Sequence, residues 1–228
     1  MGQPLLDILA PLTSEKILDL GCGHGTLTEK LLPLCKEVIG IDASENMIKH
    51  AQTLGIDAYV MNAEALDYDA EFDAIFSNAA LHWMLNPTAV LKGCFHALKP
   101  GGRMVAEMGG AGNVQHIHSA LNEQRLQLGK SVVMPWFFPN EDEYISLATQ
   151  AGFSVKQITL FERPTPLPTG LRQWLDTFAH HFVSDLTEQQ HAQVLDKACD
   201  NLKGILSTND GQWFADYVRL RFVLIKPE

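Results

Sequence analysis

Residues 17–25 read Ile17-Leu18-Asp19-Leu20-Gly21-Cys22-Gly23-His24-Gly25, and this stretch decides the fold. An apolar run with the character of a buried strand leads into three glycines at alternate positions, and a helical pattern follows. Glycine lets the backbone turn sharply and approach a ligand with no Cβ in the way. A strand, a glycine loop and a helix in this order predict a ligand-binding turn in an α/β domain.

The spacing of the glycines argues against a dinucleotide-binding site. The dinucleotide fingerprint GxGxxG would require a glycine at residue 26, where the chain has Thr26. We therefore do not expect a nicotinamide-dependent dehydrogenase.

An acidic residue, Asp42, ends the next predicted strand, 21 residues after Gly21. A carboxylate at this position can accept hydrogen bonds from both hydroxyls of a ribose. The simpler interpretation is a tight turn followed by a solvent-facing aspartate. The context of strand, glycine loop and helix favours ribose binding.

Short β-rich runs alternate with helical patterns from Lys16 to about Met108. Strands separated by helices pair in parallel through right-handed crossovers, so the pattern predicts a doubly wound α/β sheet. Ser44 and Asn86-Pro87 are signals for helix starts, and Gly55 and Pro100-Gly101-Gly102 are stop signals. The predicted strands are 16–20, 38–42, 58–61, 72–77 and 103–108, and the predicted helices are 26–34, 44–54 and 86–98.

The pattern changes after Met108. We predict a helix near 114–128, a helix from Asn140 to Gly152 and a strand at 153–161. Two amphipathic helices follow, one in phase from 171 to 186 and one that begins at Thr187 and turns residues as far as Ile205 inward. A strand at 217–226 ends the chain. The predicted organisation is a main domain over 1–163 and 213–228, and a helical insertion at 164–212 that caps the substrate.

Composition narrows the class of protein. The 228 residues are 46% hydrophobic and 19% charged, which suits a folded domain, and the formal charge of −10 disfavours nucleic acid as a partner. No apolar run is long enough to cross a bilayer, and the first residues lack the basic flank and apolar core of a signal peptide, so we expect a soluble, cytoplasmic protein. The four cysteines and nine histidines are scattered, which predicts neither a disulfide framework nor a metal site. The sequence leaves monomer and dimer open.

Four stretches together resemble the class I S-adenosylmethionine-dependent methyltransferases: ILDLGCGHGTLTEKL, VIGIDASENMI, FDAIFSNAALHW and LKPGGRMVAEM. The resemblance covers residues 17–108. It implies a mainly parallel seven-stranded sheet of the Rossmann-like methyltransferase fold, and S-adenosyl-L-methionine as the cofactor.

The resemblance also implies the cofactor-binding residues. The glycine loop would line the methionine moiety, Asp42 would bind the ribose and Met47 would pack on the adenine. Asn62 stands where the family has an acidic or amide residue that contacts the adenine amino group. The turn after the fourth strand would lie beneath the sulfonium. The full predicted set is Asp19, Gly21, Cys22, Gly23, Gly25, Asp42, Ala43, Met47, Asn62, Ala63, Asn78 and Ala79.

The rest of the chain resembles a narrower group. ALHW, PWFFP, AGF and FERPTPL are similar to trans-aconitate methyltransferase and its uncharacterised relatives, and more weakly to malonyl-acyl-carrier-protein methyltransferase. This resemblance implies methyl transfer to a carboxylate oxygen. Relatives of this kind usually carry a helical lid before the region GQPLLDILAP, so either that segment is missing from the sequence or the active site is unusually open.

Candidate acceptor-binding residues follow from the chemistry. A carboxylate acceptor needs no general base but needs forked donors such as arginine, and Arg163 and Arg172 lie near the predicted pocket mouth. Either arginine could equally be an ordinary surface cation. His82 could act as a base toward an alcohol or phenol, or could only fix its turn by hydrogen bonding. Five aromatic residues could form pocket walls: Trp83, Trp136, Phe137, Trp174 and Phe178. Trp174 and Phe178 are favoured as core, and Trp136 and Phe137 are the better pocket candidates.

The sequence therefore predicts a methyltransferase that acts on a small carboxylic acid. The alternatives are an acid bound to an acyl carrier, a hydroxylated or lipid-like acceptor, and a protein that binds the cofactor without catalysis. An acidic carrier protein would need a basic entrance, which the sequence does not show.

Overall fold

The computed structural model describes residues 2–228 and contains one large sheet with helices on both faces. A second, two-stranded sheet is separate from it. The strands of the large sheet are β1 Lys16–Leu20, β2 Glu37–Asp42, β3 Asp57–Val60, β4 Phe72–Asn78, β5 Leu98–Gly109, β6 Ser154–Glu162 and β9 Val218–Ile225, and the two-stranded sheet pairs β7 Thr165–Leu167 with β8 Trp213–Ala215.

The helices connect the strands in the order that the sequence pattern predicts. Ser44, Asn86, Asn140 and Thr187 accept backbone N–H groups in the first turns of four of them, as capping residues do. The helices are α1 Gln3–Leu9, α2 Thr28–Leu31, α3 Glu45–Thr53, α4 Pro87–Ala97, α5 Gln115–Gln127, α6 Glu141–Gln150, α7 Gly170–Phe178, α8 His180–Val183 and α9 Glu188–Leu202, with 3₁₀ turns at Ala63–Ala65 and Leu81–Trp83.

The topology confirms the predicted fold. The seven strands have the order β3-β2-β1-β4-β5-β9-β6, and the pairs that join β3, β2, β1, β4 and β5 are all parallel. Strand β9 pairs antiparallel with β5. The order reverses at β1, and ligands of open α/β sheets bind beyond the carboxyl ends of the strands at such a switch point. The glycine loop follows β1 directly.

Apolar side chains cover both faces of the large sheet. One face packs Leu18, Ile75 and Phe222 against α4 and α6, and the other packs Ile17, Phe76 and Val105 against α1. The alternation of side chains along each strand produces this division, because successive residues point to opposite faces. Because apolar side chains pack on both faces, the carboxyl ends of the strands are held in fixed positions.

The chain divides into two compact units, and the division differs from the predicted domains. One unit contains residues 1–110, 136–160 and 219–228, and the other contains 111–135 and 161–218. The second unit thus contains α5 and the loop after it, which lie outside the predicted insertion at 164–212. The reason lies in contacts distant in sequence, since the guanidinium of Arg125 in α5 donates to the carbonyl of Phe182 and to the carboxylate of Asp185.

Three predicted helical features are wrong. The helix predicted at 26–34 is shorter in the structure, where α2 contains only Thr28–Leu31. The helix predicted from 171 to 186 is broken at Ala179, which ends α7 before α8 begins. Ile205 is 58% exposed instead of inward, because α9 ends at Leu202 and Gly204, at φ 81°, takes the chain out of helical phase. Helix α1 and strands β7 and β8 were not predicted.

Over residues 2–228, no helix combines the length and the apolar character needed to cross a membrane. In the same part of the chain, no group of three or more His, Cys, Asp or Glu side chains is arranged to hold a metal ion.

Candidate active site

The glycine loop is tied to the ends of β1 and β2. The backbone N–H groups of Gly21 and Cys22 both donate to the carbonyl of Ile41, at 2.8 and 2.9 Å, which holds the loop against the neighbouring strand. The buried hydroxyl of Ser77 in β4 donates to the carbonyl of Leu20 at 2.7 Å. The loop therefore begins at a fixed position at the carboxyl edge of the sheet.

All three predicted loop glycines have positive φ, but their surroundings differ. A Cβ on Gly21 would lie 2.2 Å from the Cβ of Ala80, and a Cβ on Gly25 would lie 2.5 Å from Ile56 Cδ1. A Cβ on Gly23, at φ 55°, would meet no atom within 4 Å. Gly21 and Gly25 thus permit close packing within the protein, whereas Gly23 borders open space.

The carboxylate of Asp42 connects the loop to α3. Its Oδ2 accepts the backbone N–H of Gly23 at 3.0 Å, and its Oδ1 accepts the backbone N–H of Ser44 at 2.9 Å. A carboxylate oxygen has room for more than one donor, so Asp42 keeps the capacity to accept hydroxyl groups from a ligand. The side chain that was expected to bind a ribose is therefore fixed beside the open face of Gly23.

Asp19 lies beneath the loop and is almost completely buried. The hydroxyl of Thr28 in α2 donates to its Oδ2 at 2.6 Å. Burial raises the pKa of the Asp19 carboxyl to about 7, and the negative charge of Asp42 acts in the same direction, while the Thr28 hydrogen bond opposes them. Asp19 is a buried titratable group next to the candidate site.

The predicted adenine contacts follow β2 and β3. Met47, in the first turn of α3, is 43% exposed, and Ala43 is also exposed. The Asn62 side chain accepts the backbone N–H of Glu64, while the next residue, Ala63, is buried. The Asn62 amide is thus oriented by the 3₁₀ turn that it begins, and its NH₂ group remains available as a donor.

The turn after β4 packs on the glycine loop, because Ala80 lies directly against Gly21. Ala79 has a left-handed backbone, at φ 58°, and its N–H donates to the carbonyl of Glu107 in β5 at 2.7 Å. Asn78 is half-buried at the end of β4. The structure therefore brings the predicted glycine-loop and sulfonium-side residues to one place at the carboxyl edge.

His82 is held inside the same turn and is 7% exposed. The backbone N–H of Gly109 donates to its Nδ1 at 3.3 Å, and the His82 carbonyl accepts the N–H of Phe137. Burial, and then the charge of Arg219, lower the pKa of His82 to about 3. A neutral ring that accepts at Nδ1 carries its proton on Nε2. These contacts support the interpretation in which His82 fixes the turn.

The aromatic loop after α5 differs from its prediction. Trp136, which was expected to line a pocket, is buried, because it stacks on Phe138 and meets Trp83 edge-on. Phe137 does line an apolar cleft, in which its neighbours include Met84. Trp174 is buried in the second unit, where its Nε1 donates to the hydroxyl of Tyr217, and this confirms its expected place in a core.

Neither predicted arginine lies in the unit that holds the glycine loop. The guanidinium of Arg163 lies over the ring of Phe161, and its backbone N–H donates to the carbonyl of Tyr217 at 2.7 Å. Arg172 pairs with Asp176 at 2.6 Å and with Asp196 at 3.1 Å. Arg172 is therefore an ion-pair partner at the surface of its own unit.

A row of charged and polar side chains at the carboxyl edge was not predicted from the sequence. Asn78 in β4 is in register with Glu107 in β5, and Glu107 is in register with Arg221 in β9. Arg219, two residues before Arg221, is opposite Gly109 and is 9% exposed. The alternation of arginines at the start of the apolar run VRLRFVLI is the signal that could have identified this row.

Comparisons with known proteins identify the family. Residues 18–106 match the methyltransferase domain family. An uncharacterised methyltransferase of Schizosaccharomyces pombe, C70.08c, is 41% identical over 228 residues, which cover 94% of this chain and 87% of the relative. The chain belongs to the class I S-adenosylmethionine-dependent methyltransferases.

A more distant methyltransferase agrees with this assignment, and a solved structure shares the fold. The malonyl-[acyl-carrier protein] O-methyltransferase of Bacillus anthracis is 26% identical over 191 residues, covering 79% of this chain and 70% of that protein. The solved YcgJ protein of Bacillus subtilis shares the fold, with a TM-score of 0.71, 18% identity and coverage of 99% and 97% of the two chains.

A solved methyltransferase also contains the expected cofactor. Phosphoethanolamine N-methyltransferase 2 of Haemonchus contortus, in complex with S-adenosyl-L-methionine, matches 99% of this chain and 52% of its own, with a TM-score of 0.62 and 18% identity. The family assignment, and not this distant structure, gives this methyltransferase S-adenosyl-L-methionine as its cofactor, as the sequence predicted.

Proposed function

We propose that this methyltransferase transfers a methyl group to a carboxylate oxygen of a small organic acid of the trans-aconitate type. The observation that supports the proposal is that the His82 ring is neutral and accepts a hydrogen bond. Its Nδ1 accepts the Gly109 N–H, and burial holds its pKa far below neutrality. A carboxylate is already a nucleophile at neutral pH and requires no base, whereas an alcohol acceptor would require one.

We assign the cofactor to the carboxyl edge of β1 to β4. The open face of Gly23 leaves room that a Cβ would fill, and the Asp42 carboxylate beside it can accept hydroxyl groups. Asp42 would bind the ribose, Met47 and the Asn62–Ala63 segment would contact the adenine, and Gly21, Gly23 and Gly25 would line the methionine moiety. Asp19 would support the loop from below, and Asn78 and Ala79 would border the reacting end.

When bound, S-adenosyl-L-methionine supplies an electrophilic methyl group on a sulfonium. The protein has to align the acceptor with that group and exclude water. The turn after β4 suits this task because three fixed contacts hold it: Ala80 packs on the glycine loop, the Ala79 N–H donates to the Glu107 carbonyl, and Gly109 donates to His82. His82 would act as a positioning residue in this scheme.

We also propose that Arg163 binds the carboxylate of the acceptor. Its charge and forked donors suit a carboxylate, and the ring of Phe161 orients its guanidinium. The name of the Bacillus anthracis relative describes methyl transfer to a carrier-bound malonyl group, and this supports a carboxylate acceptor as a class. The formal charge of −10 favours a free acid over one attached to an acidic carrier protein.

The experiment that tests the proposal compares organic acids with their own amides. Purified protein and S-adenosyl-L-methionine are incubated with di- and tricarboxylic acids, including trans-aconitate, and with the matched amides. We expect S-adenosylhomocysteine to form with at least one acid and with none of the amides. Turnover with phenols or alcohols, and with no acid, would contradict the proposal and would indicate a hydroxyl acceptor.

A further inference from the structure

An apolar cleft lies beside the turn after β4. Its lining comes from that turn, from α4, from the end of β5 and from the segment that leads into α6, and it includes Leu81, Met84, Val90, Met108, Phe137 and Tyr144. The empty space within the cleft is about 190 Å³ and includes its open side. Pockets that enclose a whole ligand measure about 300 to 1,000 Å³, so this cleft suits one short arm of a ligand.

The cleft adjoins the candidate cofactor site. Met84 forms part of its wall, and the Met84 Cε would lie 3.9 Å from a Cβ placed on Gly21, the first glycine of the loop. Leu81 lies in the turn that follows Asn78 and Ala79, the residues assigned to the reacting end of the cofactor site. A ligand with one arm in this cleft would have the rest of its body close to that end.

Tyr144 gives the cleft its polar group. Of the described residues that line the cleft, only Tyr144 has a side-chain oxygen or nitrogen atom. It is the fourth residue of α6 and is 2% exposed, and its ring packs on Phe222 of β9 with the ring centroids 4.6 Å apart. The core therefore fixes the ring that carries the hydroxyl.

The Tyr144 hydroxyl has no hydrogen-bond partner among residues 2–228. A tyrosine buried to this degree usually has one, because an unpaired hydroxyl loses its hydrogen bonds to water without replacement. Burial raises the pKa of the Tyr144 phenol well above its ordinary value of 10, so the hydroxyl keeps its proton at neutral pH and can donate. A donor without a protein partner at the wall of a cleft favours a ligand that accepts a hydrogen bond there.

The lining determines which kind of oxygen can enter. A carboxylate enclosed by apolar side chains would lose its hydration without a cation to replace it, whereas a neutral carbonyl oxygen loses less and is satisfied by one hydroxyl donor. Met84 and Met108 add adaptability, because methionine side chains adjust to the shape of a ligand. The cleft therefore suits an apolar chain that carries one neutral oxygen, with any ionised carboxylate outside.

We propose that this cleft binds a short apolar arm of the methyl acceptor, and that the Tyr144 hydroxyl donates a hydrogen bond to a neutral carbonyl oxygen on that arm. The inference rests on the proposed function, because it takes the acceptor to be a carboxylic acid whose carboxylate stays outside the cleft. It narrows the acceptor to small acids with an oxygen-bearing apolar chain, such as oxo acids. Tyr144 then determines specificity and takes no part in the transfer itself.

The test uses three pairs of acids that differ by one carbonyl oxygen: 4-oxopentanoic and pentanoic acid, 5-oxohexanoic and hexanoic acid, and 6-oxoheptanoic and heptanoic acid. Calorimetry measures their binding to wild type, Tyr144→Phe and Tyr68→Phe, each saturated with S-adenosylhomocysteine so that no turnover occurs. Tyr68 packs edge-on against Phe72, the first residue of β4, so its variant loses a phenol oxygen at the opposite end of that strand.

We expect Tyr144→Phe to reduce the preference for the oxo acid over its parent acid about 3- to 10-fold in at least one pair, the usual effect of losing a neutral hydrogen bond. The parent acids should bind equally to the wild type and Tyr144→Phe, which should fold because the lost oxygen has no partner within residues 2–228. Tyr68→Phe should keep the wild-type preference. An unchanged preference in every pair, an equal reduction in Tyr68→Phe, or binding of none of the acids would overturn the proposal.

A second measurement shows where the acids bind. In protein labelled with ¹³C at the methionine methyl groups, the signals of Met84 and Met108 are assigned by Met84→Leu and Met108→Leu. Both signals should shift when the preferred oxo acid binds, and binding that shifts neither would contradict the assignment of the cleft.

The outcomes also separate the two proposals. Methylation of oxo acids with the same preference in Tyr144→Phe as in the wild type would contradict only this inference. Tyr144-dependent binding of oxo acids without methylation of any acid would contradict only the proposed function.

Discussion

The backbone N–H of Gly23 donates to Oδ2 of Asp42 across the carboxyl edge of the sheet, at 3.0 Å. The other oxygen of the same carboxylate accepts the N–H of Ser44, the residue that caps α3. One side chain therefore fixes both the glycine loop and the start of the next helix. If Asp42 also binds the ribose, the loop and the sugar share one anchor.

Replacing Asp42 by alanine is expected to weaken S-adenosyl-L-methionine binding about 10- to 100-fold, because hydrogen bonds to a charged group are lost. Calorimetric titration measures the effect. Asp69→Ala, which removes an exposed carboxylate on a loop, is the control and should bind normally. An unchanged affinity in Asp42→Ala would remove Asp42 from the cofactor site.

The glycines of the loop should respond differently to alanine. Gly21→Ala adds a Cβ that would lie 2.2 Å from the Cβ of Ala80, at φ 75°. We expect the free energy of unfolding to fall by roughly 2 to 5 kcal/mol, from the left-handed backbone and the overpacking together. Gly23→Ala meets open space, so its loss should be about 1 to 2 kcal/mol.

Urea unfolding without cofactor measures both changes, and titration of S-adenosyl-L-methionine follows for Gly23→Ala. We expect this variant to remain folded and to bind the cofactor more weakly, because its new Cβ occupies the space assigned to the ligand. Equal destabilisation by the two substitutions would show that the open side of Gly23 is closed in solution.

His82 should not titrate near neutral pH. Burial and the Arg219 charge lower its pKa to about 3, so the ring stays neutral from pH 5 to pH 8 with its proton on Nε2. The ¹⁵N shifts of the ring measure this directly. His82→Asn retains an acceptor for the Gly109 N–H, and its kcat should remain within about threefold of the wild type. A loss on the scale of about 10² or more would instead identify a general base.

Asp19 should make the stability of the protein without cofactor depend on pH. Burial raises the pKa of Asp19 to about 7 from an ordinary value of 3.8, so the folded state holds more protons than the unfolded state between those values. Stability therefore falls as the pH rises through this window. Relative to Asp19→Asn, the wild type should lose roughly 3 to 5 kcal/mol between pH 4 and pH 8.

Urea unfolding of both proteins at a series of pH values measures this difference. Asp7→Asn, at a surface position of α1, should follow the wild type at every pH. If wild type and Asp19→Asn have parallel stability curves, the Asp19 carboxyl titrates at its ordinary value and is not desolvated.

The local sequence was sufficient for the main sheet and the glycine loop. Strand 16–20 was predicted with its observed bounds, and Ser44 and Asn86 cap their helices as expected. These features depend on hydrophobic alternation, glycine and capping residues, which act over a few positions. The cofactor and the enzyme class followed because the decisive stretch is itself local.

Features that depend on contacts between residues distant in sequence could not be predicted from the local sequence. Residues 111–135 join the second unit through contacts such as that between Arg125 and Asp185, which are 60 positions apart. The break at Ala179 has no glycine or proline to signal it. Arg219 could be recognised only once the register of β9 against β5 placed it opposite Gly109.

The most direct test of the proposed acceptor chemistry is the alkali stability of the methylated product. The protein is incubated with S-adenosyl-L-[methyl-¹⁴C]methionine and the organic acids described above, and the labelled product is treated with mild alkali. A methyl ester releases its label as volatile methanol, whereas methyl ethers and methylamines retain it. We predict release of the label as methanol. A labelled product that retains its methyl group in alkali would contradict methyl transfer to a carboxylate.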